Sequence, residues 1–203
     1  MDITKKREIL VAQIFYLFIL PVVLFYFDVI PGNFRVAMLF VITLLLLGII
    51  YEEKWTFADM GIKKNWTSDV RPYAIFTILA VAFLFAISET APHFENFDWW
   101  QSEKFLLLFA PISILQEIIF RGVLMKMLLG AFKNIPFVIL INATVFAVLH
   151  IIYLNSAFIL PLTFFGGICF AYLYYKWPNL ILISISHTII NFTAMILGFF
   201  ALR

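Results

Sequence analysis

Seven apolar stretches, each close to the length that crosses a lipid bilayer, follow one another along the chain. About 20 apolar residues span the hydrocarbon core, so each stretch predicts one transmembrane helix. The approximate limits are residues 9–27, 35–51, 72–90, 105–129, 134–154, 156–175 and 178–201. Backbone groups inside lipid must be satisfied within the fold, and helices achieve this. The pattern therefore predicts an all-α, polytopic transmembrane helical bundle of about seven helices, forming a single integral membrane domain over residues 1–203.

The composition agrees with a membrane protein and excludes an ordinary soluble globule. Of the 203 residues, 64% are hydrophobic and 13% are charged, against about 45–50% and about 25% in soluble domains. The net charge is only +2 and no basic stripe occurs, so a nucleic-acid partner is not expected. Cys169 is the single cysteine, so no disulfide can form within the chain.

Lys and Arg residues are distributed unequally between the two predicted sides of the membrane. With the N-terminus in the cytoplasm, the inner side holds Lys5, Lys6, Arg7, Lys54, Lys63, Lys64, Arg71, Lys126, Lys133 and Lys176, and the outer side holds Arg35, Lys104 and Arg203. The positive-inside rule then predicts a multi-pass protein of the cell membrane with a cytoplasmic N-terminus. Trp99 and Trp100 are predicted to lie in an interfacial aromatic belt on the outer side.

Three short polar clusters interrupt the apolar stretches. They are Gln116 to Arg121 in the fourth predicted helix, Phe146 to His150 in the fifth, and His187 to Asn191 in the seventh. An ionisable residue at mid-helix costs roughly 2.5–3.5 kcal/mol on insertion scales, and such residues mark a pathway or a reaction site. Because three helices each supply such a group, we interpret the clusters as one functional site within the membrane.

The cluster on the fourth helix combines an ion pair with a neighbouring amide. Glu117 and Arg121 are four residues apart, so they share a helix face and can neutralise each other. Gln116 and Phe120 share a different face, about 100° round the helix. The ion pair taken alone is compatible with a structural role as well as a functional one.

The histidine clusters supply groups suited to hydrolysis. His187 and Asn191 are four residues apart, which predicts two hydrogen-bond donors on one face, a device that stabilises an oxyanion. His150, if close to a carboxylate, could help to activate a water molecule. Interhelical hydrogen bonding and a proton or ion relay are alternative uses of these residues. The limits 134–154 place His150 near the end of its helix, so we expect that helix to start later, to end early or to tilt.

A metal site is a competing interpretation. Two histidines and one carboxylate, namely His150, His187 and Glu117, would suit a catalytic zinc with an open fourth position. No His-Glu-x-x-His pattern occurs, so the most specific signal of a zinc protease is lacking. The sequence therefore favours hydrolysis without a cofactor and keeps zinc as an alternative.

The order of the three clusters resembles a known family, the CPBP intramembrane proteases, which include CAAX proteases, bacteriocin-processing enzymes and the Abi proteins. The family patterns are Glu-Glu-x-x-x-Arg, Phe-x-x-x-His and His-x-x-x-Asn on successive helices. The matching stretches are Gln116-Glu117-Ile118-Ile119-Phe120-Arg121-Gly122, Phe146 to His150 and His187 to Asn191, within a core of about residues 104–195. The segment Phe57-Ala58-Asp59-Met60-Gly61-Ile62 is also similar to one found upstream in that family.

The resemblance implies an α-helical membrane endopeptidase and a role for each matched position. Position 116 would activate water with help from His150, and His187 with Asn191 would form an oxyanion hole. The residues that would shape the site are Glu117, Arg121 and Phe146. Such proteins cleave prenylated CAAX tails, process peptides such as bacteriocins or pheromones, or confer immunity. The implied partners are therefore membrane lipids and a peptide or lipidated-protein substrate.

The chain departs from the family at the first motif position, where Gln116 replaces the usual glutamate. A carboxamide can orient a water molecule but cannot take a proton from it at working pH. Either Glu117 or His150 serves as the base, or the protein is an inactive relative kept for binding, or the residue is an engineered trap. We favour an active endopeptidase that uses activated water. The alternative is a catalytically impaired protein that acts in bacteriocin immunity or as a regulatory binding partner.

Overall fold

The chain folds as helical segments joined mostly by short turns. The computed structural model describes residues 3–92 and 103–199. Within them the helices are α1 (residues 3–26), α2 (Arg35–Glu52), α3 (Val70–Ser88), α4 (residues 103–131), α5 (Ile135–Val148), α6 (Ser156–Lys176) and α7 (Leu180–Ile196). Two of them contain a π-helical turn: α1 at Phe15–Ile19, between Ile3–Ile14 and Leu20–Tyr26, and α4 at Ile118–Leu124, between Glu103–Glu117 and Met125–Ala131. A 3-10 turn at Leu149–Ile152 extends α5. Further 3-10 turns lie at Gly32–Phe34, Ala58–Met60 and Trp66–Asp69. These two ranges contain no β-strand, and the predicted all-α bundle is confirmed.

Five of the described helical segments are long and apolar enough to cross a membrane, which indicates a multi-pass membrane protein. They are Arg7–Tyr26, Gly32–Glu52, Trp66–Ser88, Ile135–Ile152 and Ser156–Lys176. α7 is apolar but shorter, with 17 residues. Trp99 and Trp100 lie outside the described residues, so the aromatic belt stays a prediction, as does the cytoplasmic N-terminus.

Two helices end earlier than the apolar pattern predicts. α7 ends at Ile196 and not at residue 201. Gly198 has a φ of +75°, and the Phe199 N–H donates to the carbonyl of Ala194 at 2.9 Å, a left-handed closure typical of a helix C-terminus. α5 keeps α-helical geometry only to Val148 and then tightens into its 3-10 turn. Hydrophobic residues continue past both ends, so the predicted limits were too long.

The core is densest around the second half of α4. The completely buried apolar side chains there are Phe120, Val123, Leu124 and Leu128. α5 and α6 approach closely because Gly167 has no side chain, and a Cβ there would lie only 3.1 Å from the Cα of Ala143. Large apolar side chains on the outer faces of α2 and α3 are exposed, including Leu44, Leu45, Ile78 and Leu79. Such faces are typical of helices that contact lipid.

The connection between α2 and α3 folds back onto the bundle. Its Met60 carbonyl accepts a hydrogen bond from the Tyr174 hydroxyl at 2.8 Å, and its Gly61 carbonyl accepts one from the Leu180 N–H at 2.9 Å. Asp59 Oδ1 lies 2.7 Å from Lys126 Nζ on α4. The hydrogen bond from this ammonium is the main reason that the pKa of the Asp59 carboxyl lies well below its usual range. The connection therefore contacts α4, α6 and α7 at one end of the bundle.

Candidate active site

A buried ion pair follows directly from the local geometry of α4. Arg121 Nη1 donates to Glu117 Oε1 at 3.2 Å, and neither side chain has any solvent exposure. The guanidinium carbon lies 4.5 Å from the ring centre of Phe146 and 5.2 Å from that of Phe170, distances at which aromatic faces attract a cation. Arg121 lies inside the π-helical turn Ile118–Leu124, a geometry often found at functional sites.

His187 extends this pair into a chain of polar contacts from α4 to α7. Its Nδ1 lies 2.5 Å from Glu117 Oε1, and its Nε2 lies 2.8 Å from Nδ2 of Asn191. The contact with the carboxylate lacks hydrogen-bond geometry, but the nearby negative charge favours a proton on Nδ1, and Nε2 then accepts from the Asn191 amide. The sequence predicted that His187 and Asn191 present two donors side by side. In the structure the two side chains contact each other, and Asn191 carries the outward end of the chain.

His150 lies on the other side of Phe146. Its Nδ1 is 2.9 Å from the backbone carbonyl oxygen of Phe146. A carbonyl only accepts, so Nδ1 carries the proton and the neutral ring keeps its lone pair on Nε2. The ring stacks on Tyr153 at 5.7 Å, with an interplanar angle of 19°. The Phe146 ring centre lies 4.9 Å from that of His150 and 5.6 Å from that of His187.

The early end of α5 explains how His150 reaches this position. The sequence predicts His150 near the end of a long helix that starts later, ends early or tilts, and the structure shows that it starts at Ile135, close to the predicted residue 134. His150 is the second residue of the 3-10 turn Leu149–Ile152, so the α-helical part of α5 stops two residues before it. The motif Phe146 to His150 therefore wraps round one phenyl ring, with a histidine on each side of it.

A cavity of about 420 Å³ lies beside these groups and receives three of the predicted site residues. Gln116 from α4, His150 from the end of α5 and Asn191 from α7 line it. The other lining residues are mostly apolar and include Val22, Phe25, Arg35, Met38, Leu39, Ile42, Ser113 and Tyr153. Glu117 and His187 have 0% and 1% exposure and are not among the lining residues. The sequence neighbours Gln116 and Glu117 thus point to different environments, as the 100° step between them predicts.

The three side chains proposed for zinc do not form a ligand set. The described residues contain no group of three or more His, Cys, Asp or Glu side chains that could hold a metal ion. Glu117 and His187 contact each other, whereas His150 lines the cavity. The donor geometry of this structure does not fit a metal, and the function proposed below includes no step through one.

One residue near the site was not singled out from the sequence. Asn142 on α5 is completely buried, and its Nδ2 donates to the backbone carbonyl of Phe120 at 2.9 Å. The signal available in the sequence was an amide in the run 135–149, where Thr144 is the other polar residue. That signal did not indicate which group the amide binds, because the hydrogen bond joins residues 22 positions apart.

Comparison with known proteins gave one match. A family model described as "Type II CAAX prenyl endopeptidase Rce1-like" matches residues 98–193, just under half of the chain. The matched region runs from before α4 into α7 and contains all three polar clusters. Comparisons with curated proteins and with solved structures gave no match. The family match, with the three motifs in their expected order inside it, supports an assignment of this region to the CPBP/CAAX intramembrane proteases.

Proposed function

We propose that this protein is an intramembrane endopeptidase that hydrolyses a peptide bond of a membrane-associated, lipidated or leader peptide by activated water. The observation that carries the proposal is the shared cavity of Gln116, His150 and Asn191. Its volume of about 420 Å³ lies within the range of ligand-binding cavities. Three helices thus bring a base, an amide and an oxyanion donor to one space that is otherwise mostly apolar.

His150 is the proposed general base. Its Nδ1–H is committed to the Phe146 carbonyl, so Nε2 is the nitrogen that accepts a proton. Glu117 is a poorer candidate, because it is completely buried and its Oε1 already contacts Arg121 and His187. Gln116 orients the water through its carboxamide. Water oxygen attacks the peptide carbonyl carbon while its proton moves to His150 Nε2, and that proton then passes to the leaving amine as the C–N bond breaks.

Asn191 is the proposed oxyanion donor. Its Nδ2 carries two N–H groups, of which one points to His187 Nε2, and the second serves the developing negative charge. His187 holds the amide in this orientation, and Glu117 with Arg121 fixes the tautomer of His187. The buried chain therefore acts on the reaction through a single amide that lines the cavity.

Cleavage of a fluorogenic membrane-peptide library by the purified protein tests the proposal. The library includes prenylated carboxyl-terminal peptides and leader peptides, and the Gln116→Glu variant is measured beside the protein, with His150→Ala as the blank. Turnover by the protein that His150→Ala lacks supports the proposal. Turnover that persists in His150→Ala contradicts it. Turnover only by Gln116→Glu means that the site is complete except for its base.

A second candidate function is binding without catalysis, in immunity or regulation. The observation that favours it is the neutral side chain of Gln116 in the cavity, where the family has a carboxylate. This candidate predicts a biological function that survives His150→Asn but is lost when a large side chain fills the cavity, for example in Ser113→Trp. Loss of that function in His150→Asn, with the protein still folded, contradicts it.

A further inference from the structure

A hydrogen bond from α5 to the π-helical turn of α4 has no role in the proposed reaction. Within this turn the Phe120 carbonyl accepts from the Met125 N–H, five residues ahead. The same oxygen accepts a second hydrogen bond, from Asn142 Nδ2 on α5, at 2.9 Å. Both interactions converge on one buried carbonyl. In an α-helix this carbonyl would bond to the residue four positions ahead, which is Leu124.

The register of this turn decides which side chains of α4 face the cavity. A π-helical turn holds one residue more than an α-helical turn, so a return to α geometry rotates one flank by about 100° relative to the other. Gln116, on the cavity side, lies before the turn Ile118–Leu124, whereas Arg121 lies inside it. Rotation by this amount would separate Arg121 from Glu117 or move Gln116 out of the cavity.

Asn142 is a polar residue in an apolar part of the bundle, and only one end of its amide is satisfied. Its side chain is completely buried, and its Oδ1 has no hydrogen-bond partner among the residues that the structure describes. An unpartnered buried polar atom is destabilising, and an apolar residue of similar shape would be neutral or more stable at such a place. A residue that costs stability and bonds the critical carbonyl has the properties of a functional support.

We propose that Asn142 is a positioning residue that holds α4 in its π-helical register and thereby directs Gln116 into the cavity while Glu117 and Arg121 stay buried. The inference that this serves catalysis rests on the proposed function. The inference about register does not, because it can be measured without cleavage. Leucine at position 142 removes the donor and the unpartnered oxygen together. The Phe120 carbonyl keeps the Met125 N–H and loses one hydrogen bond, which shifts such an equilibrium by about twofold to about 13-fold.

A disulfide cross-link reports the register within the turn itself. A Cβ at Gly122 would lie 3.7 Å from the Cβ of Met60 and meets only ordinary contacts, and this separation lies within the range for a disulfide. The pair Met60→Cys and Gly122→Cys is made in a Cys169→Ser background, which removes the single native thiol. In the same background, the rate at which a small soluble thiol reagent labels Gln116→Cys shows whether the residues before the turn still face the cavity.

The matched control is Asn155, whose Nδ2 donates to the Phe199 carbonyl at 2.9 Å, the same kind of bond away from α4. We expect Asn142→Leu to slow cross-linking or cavity labelling by about twofold or more, and Asn155→Leu to leave both rates unchanged. We also expect Asn142→Leu to unfold at no lower temperature than its parent, with kcat for peptide cleavage reduced and KM unchanged. Where the native protein is inactive, kcat and KM are measured in the Gln116→Glu background.

Parental rates of both cross-linking and labelling in Asn142→Leu would overturn the proposal. So would lower stability with unchanged kcat, which is the result for an amide with only a structural role. If Asn142→Leu does not fold, Asn142→Ala makes the same measurement with a smaller side chain. A chain that cleaves no peptide in any background contradicts the proposed function alone, and the cross-link still decides the register.

Discussion

Two sequence neighbours on α4 lie in opposite environments. Gln116 lines a cavity of about 420 Å³, whereas Glu117 has no exposure and contacts a guanidinium and an imidazole. The cavity side offers groups that can meet a substrate. The buried side holds charges that no substrate reaches. One peptide bond therefore separates the proposed chemistry from the structure that orients it.

The difference shows how a membrane protein can hold ionisable groups without exposing them to lipid. Arg121 and Glu117 form an ion pair, His187 contacts the carboxylate, and the rings of Phe146 and Phe170 lie against the guanidinium. Charge that would be costly in an apolar medium is neutralised locally. Only Asn191 passes from this chain to the cavity. The two sides are thus coupled through one amide, which gives each of them a distinct mutational signature.

The cavity side should show the largest effect on activity. Replacing the proposed base in His150→Ala removes proton transfer, for which general-base catalysis typically contributes about 10²–10⁴-fold in rate. We expect kcat to fall by that factor with the unfolding temperature nearly unchanged, measured by peptide cleavage and by thermal denaturation in detergent. Ser113 is another polar residue that lines the cavity. The Ser113→Ala variant is the matched control and should keep the activity of the native protein.

The buried side should show the largest effect on stability. Glu117→Gln leaves the Arg121 charge uncompensated at zero exposure, and breaking a buried pair in this way costs about 3–5 kcal/mol. Unfolding in mixed micelles followed by tryptophan fluorescence measures the loss. The double variant Glu117→Gln with Arg121→Met removes both charges and should recover most of it. Equal stability of Glu117→Gln and the native protein would contradict the buried assignment.

The amide that joins the two sides should affect activity but not stability. Asn191→Ala removes the proposed oxyanion donor, and loss of one such donor costs about 10²–10³-fold in kcat. Because Asn191 is half-buried, we expect the folded protein to remain and KM to change little. Steady-state kinetics separate the two constants. A rise in KM at constant kcat would show that Asn191 binds the substrate and does not stabilise the transition state.

The smallest effect should come from a region that belongs to neither side. Asp59 is paired with Lys126, which lowers its folded-state pKa below the usual 3.8. A lowered carboxyl pKa stabilises the fold above pH 3.8, and this contribution disappears as pH falls through the folded-state value. We expect Asp59→Asn to lower the unfolding temperature slightly at pH 7 and by less below pH 3.8, with cleavage unaffected. A difference independent of pH would contradict the role of the ion pair.

Sequence periodicity determined the bundle because lipid allows so few solutions. Runs of about 20 apolar residues must be helices, so the number and order of the helices follow from the hydrophobic pattern along the chain. Helix ends were less accurate, since turns such as the one at Gly198 depend on backbone geometry that hydrophobicity does not encode. The four-residue spacing of Glu117 and Arg121 predicted a contact that the structure contains, because that contact is local to one helix.

What the tertiary structure decided are the contacts between helices. No spacing indicates that the Phe146 ring separates His150 from His187, that His187 and Asn191 contact each other with Glu117 behind them, or that Asn142 supports the Phe120 carbonyl. These depend on how α4, α5 and α7 pack, and in particular on the π-helical turn that sets the phase of α4. The sequence by itself determined which residues carry charge inside the membrane. Packing decided which polar residues line the cavity, because burial and direction arise only when distant segments meet.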